Sequence, residues 1–525
     1  MRIDIIDRVE TFHRLRDNWN AVYDADADAQ LFLSWEWLAG WLPNLSTPWV
    51  ILAARDDQPE DAPYVAFFPL RFEVKADAAG HLTNELKMAG SYAADYTGLI
   101  ARPDAEARAI AAFVRQIRQL HWASFSVDNF RGSALRFRQL LAHFSQATFV
   151  ATPLNRVNAH DQVDNAICPY AQLPPDWNAY LDTLSANTRQ KIRRLLKLVD
   201  CGDAYHITHT TAATVQNDLR TLLKFWEARW RSRKGDSVEA LVRSNFFMLL
   251  RSFERGLLHL PVLWHGDRPL AALATLMDAR KRAFLFYITG RDETFDGPPP
   301  GLILHGHSIR HAIANGFTRY DFLRGNERYK YSFGVSEERL HCHVIATRDH
   351  RNLGGKLDPH AVAGALKLAT ERHQAGKLAE AEIGYRQILE TAPRDDNTLH
   401  RFGQLLATKG DHRAAKRIFA RLIEVRPDTF KPRLCLGQSC EALGQFSEAA
   451  DAYREVARLQ PDAPGIAGLL SRALLRAGRN EEALRLVASG AAAQPPIDGI
   501  PLPQDMPSAS PRPPHTTAPT RAIPA

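Results

Sequence analysis

Cysteine is scarce. There are five in 525 residues, at positions 168, 201, 342, 435 and 440. Scattered thiols make no disulfide framework, and such usage fits a reducing cytoplasm, where the chain is expected to reside. Long apolar runs are missing too. No stretch of 18 or more apolar residues occurs, so no membrane-spanning helix is expected. The opening MRIDIIDRVETFHRL lacks the basic start, apolar core and small-residue cleavage site of a secretory signal. Neither charge sign dominates, since 66 basic against 59 acidic residues leave a net +7. That is far from a nucleic-acid-coating polycation. His341-Cys342-His343 is the one run that suggests a metal. Strand alternation puts Cys342 opposite both histidines, so no metal is expected. With 45% hydrophobic and 24% charged residues the chain is globular, neither disordered nor fibrous. At roughly 150 residues per domain its length implies three or four domains.

What is present is most regular near the C-terminus. Gly376, Gly410, Gly444 and Gly478 recur every 34 residues. Ala381, Ala415, Ala449 and Ala483 follow five residues on, then Tyr385, Phe419, Tyr453 and Val487, then Pro393, Pro427, Pro461 and Pro495. Leu368, Phe402, Leu436 and Leu470 each precede a small residue. The glycine permits a turn, the alanine lets two helices approach, the aromatic fills the gap between units and the proline ends the second helix. The pattern resembles the tetratricopeptide repeat (TPR). Copies are expected at 362–395, 396–429, 430–463 and 464–497, within an all-α solenoid over 356–497. Such arrays bind a protein or peptide partner on a concave face. Ten of the last 31 residues are proline, so 498–525 is expected to be a disordered tail.

The first 350 residues mix helix and strand. Trp49–Ala54 and Tyr64–Phe72 read as strands, Ala105–Leu120 as an amphipathic helix and Ala123–Val127 as a strand. This first unit, 1–165, has neither a Gly-rich phosphate loop nor a nucleophile motif. In the second unit, 166–355, Asn187–Val199 (NTRQKIRRLLKLV) is a helix without an acid. Arg189, Arg193 and Lys197 line one face, with Lys191 and Arg194 beside them. A second basic helix carries Arg229, Arg231, Arg233 and Lys234 around Trp226 and Trp230. Leu260–Trp264, Leu270–Met277 and Phe284–Thr289 read as an antiparallel meander. The loop GRDETFDGPPPG then opens into a helix over Leu302–Asn315, and a strand over Arg319–Leu323 follows. A loop that ends in glycine at a helix start leaves backbone N–H groups free for an anion.

The run PPGLILHGHSIRHAIANGFTRYDFLRGNERYKYSFG (Pro299–Gly334) resembles the Gcn5-related N-acetyltransferase (GNAT) superfamily. Within it the chain looks most like the CelD/BcsL type, akin to the Fem-type aminoacyltransferases. The segments NTRQKIRRLLKLV and FWEARW fit it, and FLSWEWLAGW with DYTGLI looks like a degenerate first half. The resemblance implies an α/β (α+β) fold of tandem GNAT-like domains, the first degenerate. It implies acyl transfer from acetyl-CoA or another acyl-CoA to an amine or hydroxyl. Pro300, Gly301, Leu302, Ile303 and Leu304 match the place where such folds hold the CoA pyrophosphate. One glycine in PPPGLIL departs from the usual Arg/Gln-x-x-Gly-x-Gly/Ala pattern, which leaves longer acyl groups open.

Chemistry then assigns roles. An amine acceptor is protonated at neutral pH and needs a base, for which Glu327 is the candidate. Lys330 matches the lysine of the Fem-type YK motif and is assigned to phosphate or oxyanion charge. Tyr329 is assigned to protonating the leaving thiolate, and Arg324 to an anionic substrate group. Asp95 and Tyr96 are expected to line an acceptor cleft between the halves. Three functions follow: an acyltransferase acting on a glycan or cell-envelope precursor, an aminoacyl transferase using aminoacyl-tRNA, and a non-catalytic scaffold for a polysaccharide-synthesis complex. Residues 166–355 carry 27 bases against 19 acids, a net +8, so the basic excess sits in the unit expected to hold a polyanion.

Overall fold

The computed structural model describes residues 1–488 apart from 60, 91–92, 236 and 462; the proline-rich 498–525 lies outside the described residues. The first seven strands are β1 (Arg2–Ile6), β2 (Trp49–Arg55), β3 (Ala66–Ala76), β4 (Leu82–Met88), β5 (Ile100–Ala101), β6 (Ser124–Phe130) and β7 (Phe149–Pro153). The next eight are β8 (Ile167–Gln172), β9 (Tyr205–His209), β10 (Leu258–His259), β11 (Pro261–His265), β12 (Arg268–Asp278), β13 (Ala283–Arg291), β14 (Arg319–Asp321) and β15 (Ser336–Arg339). The last is β16 (His341–Thr347).

These strands form two sheets with one plan. The first runs β1-β2-β3-β4-β6-β16-β7 with β5 beside β3, and the second β9-β11-β12-β13-β14-β8-β15 with β10 beside β12. Each has a three-stranded antiparallel meander and then one parallel pair, β4–β6 or β13–β14. Parallel neighbours need a crossover, supplied by helices Glu106–Ile117 and Pro300–Ala314. The expected meander and crossover are therefore both present.

Placed strand for strand, the two sheets have exchanged a member. β8 follows β7 in the chain but pairs with β14 and β15 in the second sheet; β16 follows β15 but pairs with β6 and β7 in the first. A boundary at 165 thus does not fully separate the sheets, because His341–Thr347, far beyond it, belongs to the first. No local signal marks this exchange, since the partners of β16 lie some two hundred residues back. The halves also share a core in which Trp19, Phe32 and Phe67 meet Leu219, Leu222, Val262 and Ala272. Burial of one apolar surface by both sheets makes them a single packed body.

The repeats follow as eight helices in four pairs, from Val362–Gln374 to Asn480–Ala488. The turn glycines have φ of +72° to +80°, a region that side chains disfavour. A Cβ at Gly403 or Gly437 would sit 2.5 Å from the Phe419 ring or 2.4 Å from the Tyr453 ring. The small and aromatic positions of the repeat therefore interlock. The first pair docks on the β3–β4 hairpin: Leu82 lies in the repeat core, and its N–H donates to Gln387 Oε1 at 2.7 Å. Asp358, buried at the junction, accepts from the His121 N–H at 3.1 Å. Repeats and transferase-like body meet through packed side chains.

Candidate active site

β13 and β14 pair over only Ala283–Leu285 and Arg319–Asp321. Two features split them beyond that. Opposite Ala274 and Thr275 stand Ile288 and Phe286, so Tyr287 is the extra residue of a β-bulge, which bends its strand. On the other side Leu323, just past β14, has φ of +57°, a conformation that a branched side chain holds only under constraint. Its N–H donates to Asp321 Oδ1 at 2.9 Å. The result is a wedge in which, among the described residues, β13 has no strand partner on that side beyond Leu285.

The crossover helix Pro300–Ala314 starts at the open end of this wedge. Its N-cap, Pro299, offers no side-chain cap. The Ile303 N–H reaches Pro299 O at 3.3 Å, while first-turn N–H groups, here those of Gly301 and Leu302, have no partner within the helix. A Cβ at Gly301 would meet nothing within 4 Å. The basic helix Ala186–Asp200 lies alongside and runs parallel: a Cβ at Gly306 would touch Ile192 and Leu196, and Arg310 pairs with Asp200 at 2.6 Å. Two helix starts, both positive dipole ends, thus lie together. Lys191, Arg193, Arg194 and Lys197 are exposed and make no ion pair among the described residues, whereas Arg189 pairs with Asp182 at 2.8 Å. In the first half the matching helix opens with Asp104 and Glu106. Glu106 is bound to Arg136 at 2.6 Å. Acids at that position repel an anion, which is a physical reason to regard the first half as degenerate.

Of the five residues expected at the cradle, Gly301 and Leu302 present free N–H groups. Pro300 is buried and has no N–H to give, and the side chains of Ile303 and Leu304 are core. Arg324, Glu327, Tyr329 and Lys330 come together in one loop after β14. Lys330 is only 2% exposed. Its ammonium donates to Arg324 O at 2.8 Å and Gly325 O at 2.9 Å and pairs with Glu327 Oε2 at 2.8 Å. Two of its protons go to backbone carbonyls and its charge is paired with Glu327, so the ammonium is held inside the loop. Glu327 keeps a side chain 38% exposed. Tyr329 is 45% exposed, with its ring 6.0 Å from that of His305. Burial and the nearby Lys330 hold His305 down to about 3, hence neutral; its Nδ1 lies 3.0 Å from Tyr320 Oη.

Asp95 and Tyr96 do not line an open cleft. Asp95 Oδ1 accepts from Arg324 at 2.8 Å, and Tyr96, 1% exposed, donates to Asp321 Oδ1 at 2.7 Å. Arg319 joins Asp321 at 3.0 Å to Glu338 at 2.8 Å, and Arg131 pairs with Glu338 at 3.0 Å. Neighbouring carboxylates hold both guanidinium groups charged despite burial. This network braces the two halves beneath the wedge. Sequence reasoning missed Arg131 and Glu338, which lie outside the motifs, and Arg319, which lies within Pro299–Gly334 without a chemical role assigned to it. Arg229, on the second basic helix, is close enough to Tyr329 and Glu293 to act on their charges. That helix rests on β13 because Gly290 leaves room, as a Cβ there would be 2.5 Å from Leu222 O.

Comparison with known families agrees with this geometry. Residues 186–331 match the acetyltransferase (GNAT) domain, and 400–464 and 442–498 match tetratricopeptide repeats. The chain therefore carries a GNAT-type acetyltransferase domain followed by TPR repeats. Over 148 residues it is 26% identical to cellulose synthase operon protein C of Pseudomonas fluorescens (strain SBW25), covering 27% of this chain and 12% of that protein. This chain thus spans only a small part of the length of that relative. Among solved structures, FemX aligns at 10% identity over 66% of this chain and 97% of that one, with a TM-score of 0.45. MamA (AMB-1) aligns at 23% identity over 25% of this chain and 72% of that one, with a TM-score of 0.24.

Proposed function

We propose that this protein is an acyltransferase that moves an acyl group from acyl-CoA to an amine or hydroxyl of a polysaccharide or cell-envelope precursor, while its repeats hold a protein partner. The observation that carries the reading is the pair of first-turn N–H groups at Gly301 and Leu302, which have no acceptor among the described residues, set at the open end of a bulged strand. A diphosphate fits such a helix start. Lys191 and the bases beside it add charge at the same end. The pantetheine arm, with its two amides, suits the edge of β13 beyond its pairing with β14, and the thioester would then lie in the wedge.

In this account Glu327 takes the proton from the acceptor as its nitrogen or oxygen attacks the thioester carbonyl. Backbone N–H groups on the unpaired edge of β13 meet the oxyanion. As the tetrahedral intermediate collapses, the C–S bond breaks and Tyr329 gives its proton to the thiolate. The partial likeness to a cellulose synthase operon protein supports a polysaccharide acceptor. Reliance on acyl-CoA supports a cytoplasmic site of action. Among the described residues no helix is long and apolar enough to cross a membrane.

A second reading, aminoacyl transfer from aminoacyl-tRNA, is favoured by the exposed bases of helix Ala186–Asp200. The two separate in one assay: release of free thiol from acyl-CoAs of graded chain length in the presence of amino sugars and polysaccharide oligomers. Acceptor-dependent thiol release is expected, with Glu327→Gln lowering kcat about 10²- to 10⁴-fold, the usual worth of a general base. Consumption of aminoacyl-tRNA alone, with steeply salt-sensitive binding, would establish the second reading. Inactivity toward both donors would leave a scaffold.

A further inference from the structure

Four histidines outside the wedge converge from three elements. His209 ends the edge strand β9 and His259 ends β10, while His307 and His311 sit one turn apart on the crossover helix. The ligand nitrogens of His209, His259 and His311 all lie within 4.8 Å of one another. Nε2 of His307 faces Nε2 of His209 at 3.3 Å. We infer that His209, His259, His307 and His311 bind one Zn²⁺ ion, which ties the crossover helix to the strands β9 and β10.

Distance supports this. With Zn–N bonds of about 2.0–2.1 Å in a tetrahedron, two ligand nitrogens stand about 3.3 Å apart. The His209–His307 pair is at that separation already, and the nitrogens of His209, His259 and His311 stand within about 1.5 Å of it. Unmet bonding needs support it independently. His259 is 7% exposed, yet among the described residues its Nε2 has no hydrogen-bond partner, and neither has the buried Nδ1 of His307. Buried polar atoms are seldom left so, and an ion among the rings would satisfy His259. His311 has Nε2 at 3.3 Å from Asn315 Nδ2, which leaves its Nδ1 for a metal.

The donor set selects the ion. Four imidazoles without a carboxylate do not suit Mg²⁺ or Ca²⁺, which take oxygens, whereas nitrogen donors suit zinc. Asp200, the acid near His307, is engaged by Arg310. Burial and neighbouring imidazoles hold His259 down to about 2 and His307 to about 4, and lower His209 and His311 as well. Each neutral imidazole has one ring nitrogen lone pair to offer a metal. A site closed by four nitrogens is structural. His307 lies about 9 Å along the helix from Gly301, so the ion would fix the element that carries the cradle without touching the acyl group.

The test uses the full chain after exhaustive chelation. Titration with Zn²⁺ is expected to give one ion per chain, and Co²⁺ in its place to give the intense visible bands of a tetrahedral centre. His209→Ala removes an exposed ring and should leave the fold intact while weakening Zn²⁺ by more than about a hundredfold, beyond what loss of an outer-shell partner does. His209→Ala with His307→Ala should abolish the cobalt spectrum. His206→Ala, on the same strand, should change neither. The inference is overturned if the wild-type chain takes up no Zn²⁺ above buffer background, leaving only a hydrogen-bonded histidine pair. It is equally overturned if stoichiometry and affinity persist in the double variant. The readout is metal binding, so it stands or falls apart from acyl transfer.

Discussion

Gly301→Asp is expected to weaken CoA binding about a hundredfold and to leave the melting temperature within a few degrees of wild type. A Cβ at Gly301 meets nothing within 4 Å, so the aspartate has room, and an acid in the first turn of a helix is favourable in itself. Folding is therefore spared. The new carboxylate points into the space proposed for the diphosphate and competes for the free N–H groups of Gly301 and Leu302. Two unit charges 4 Å apart at an effective dielectric of ~20 repel by about 4 kcal/mol. Solvent at an open cradle screens part of this, so a loss of about 2–3 kcal/mol remains, which is roughly a hundredfold in affinity. Gly301→Ala adds bulk without charge and should cost far less. Calorimetric titration of both variants with CoA checks the point, and equal affinity in Gly301→Asp and wild type would move the diphosphate elsewhere.

Lys330→Met should be the most damaging substitution in the loop, and it should act through the fold. Removing the ammonium strands the carbonyls of Arg324 and Gly325 and the Glu327 carboxylate. Glu327 is partly exposed, so solvent offsets some of the loss, and stranding two carbonyls and one carboxylate costs about 2–4 kcal/mol. In a body of about 350 residues that corresponds to a fall of about 3–5 °C in its melting transition. Activity should fall with it, because Arg324 and Glu327 are positioned by the same loop. The YK motif alone suggests the opposite outcome, lost turnover in an intact fold. Thermal melting and kcat measured on the same sample separate the two. A wild-type melting curve with lost kcat would return Lys330 to a chemical role.

Reading from sequence succeeded where each residue's reason is local. The 34-residue period is legible because every copy needs its own turn glycine, packing alanine and terminating proline. The meander and crossover are legible from alternation followed by a Pro-Gly helix start. The rest depends on distant partners. Nothing near His341–Thr347 tells that this strand returns to β6 and β7. Nothing near Leu82 tells that a hairpin will cap the first repeat. Lys330 sits in a run of polar residues and reads as exposed; only the fold shows two backbone carbonyls closing over it. The four histidines are spread from 209 to 311 and share no motif. Nothing near Asp95 and Tyr96 tells that Asp95 accepts from Arg324 and that Tyr96 donates to Asp321. The free N–H groups at Gly301 and Leu302 are the part of the site for which sequence and geometry agree most closely.

The central claim is that the wedge and its helix start form an acyl-CoA site. Isothermal titration of the wild-type chain with CoA tests it most directly. The account predicts one CoA bound per chain at micromolar concentration, with affinity falling as salt rises because the diphosphate is held by dipoles and exposed bases. No heat of binding up to millimolar CoA, in a chain that melts cooperatively, would contradict it.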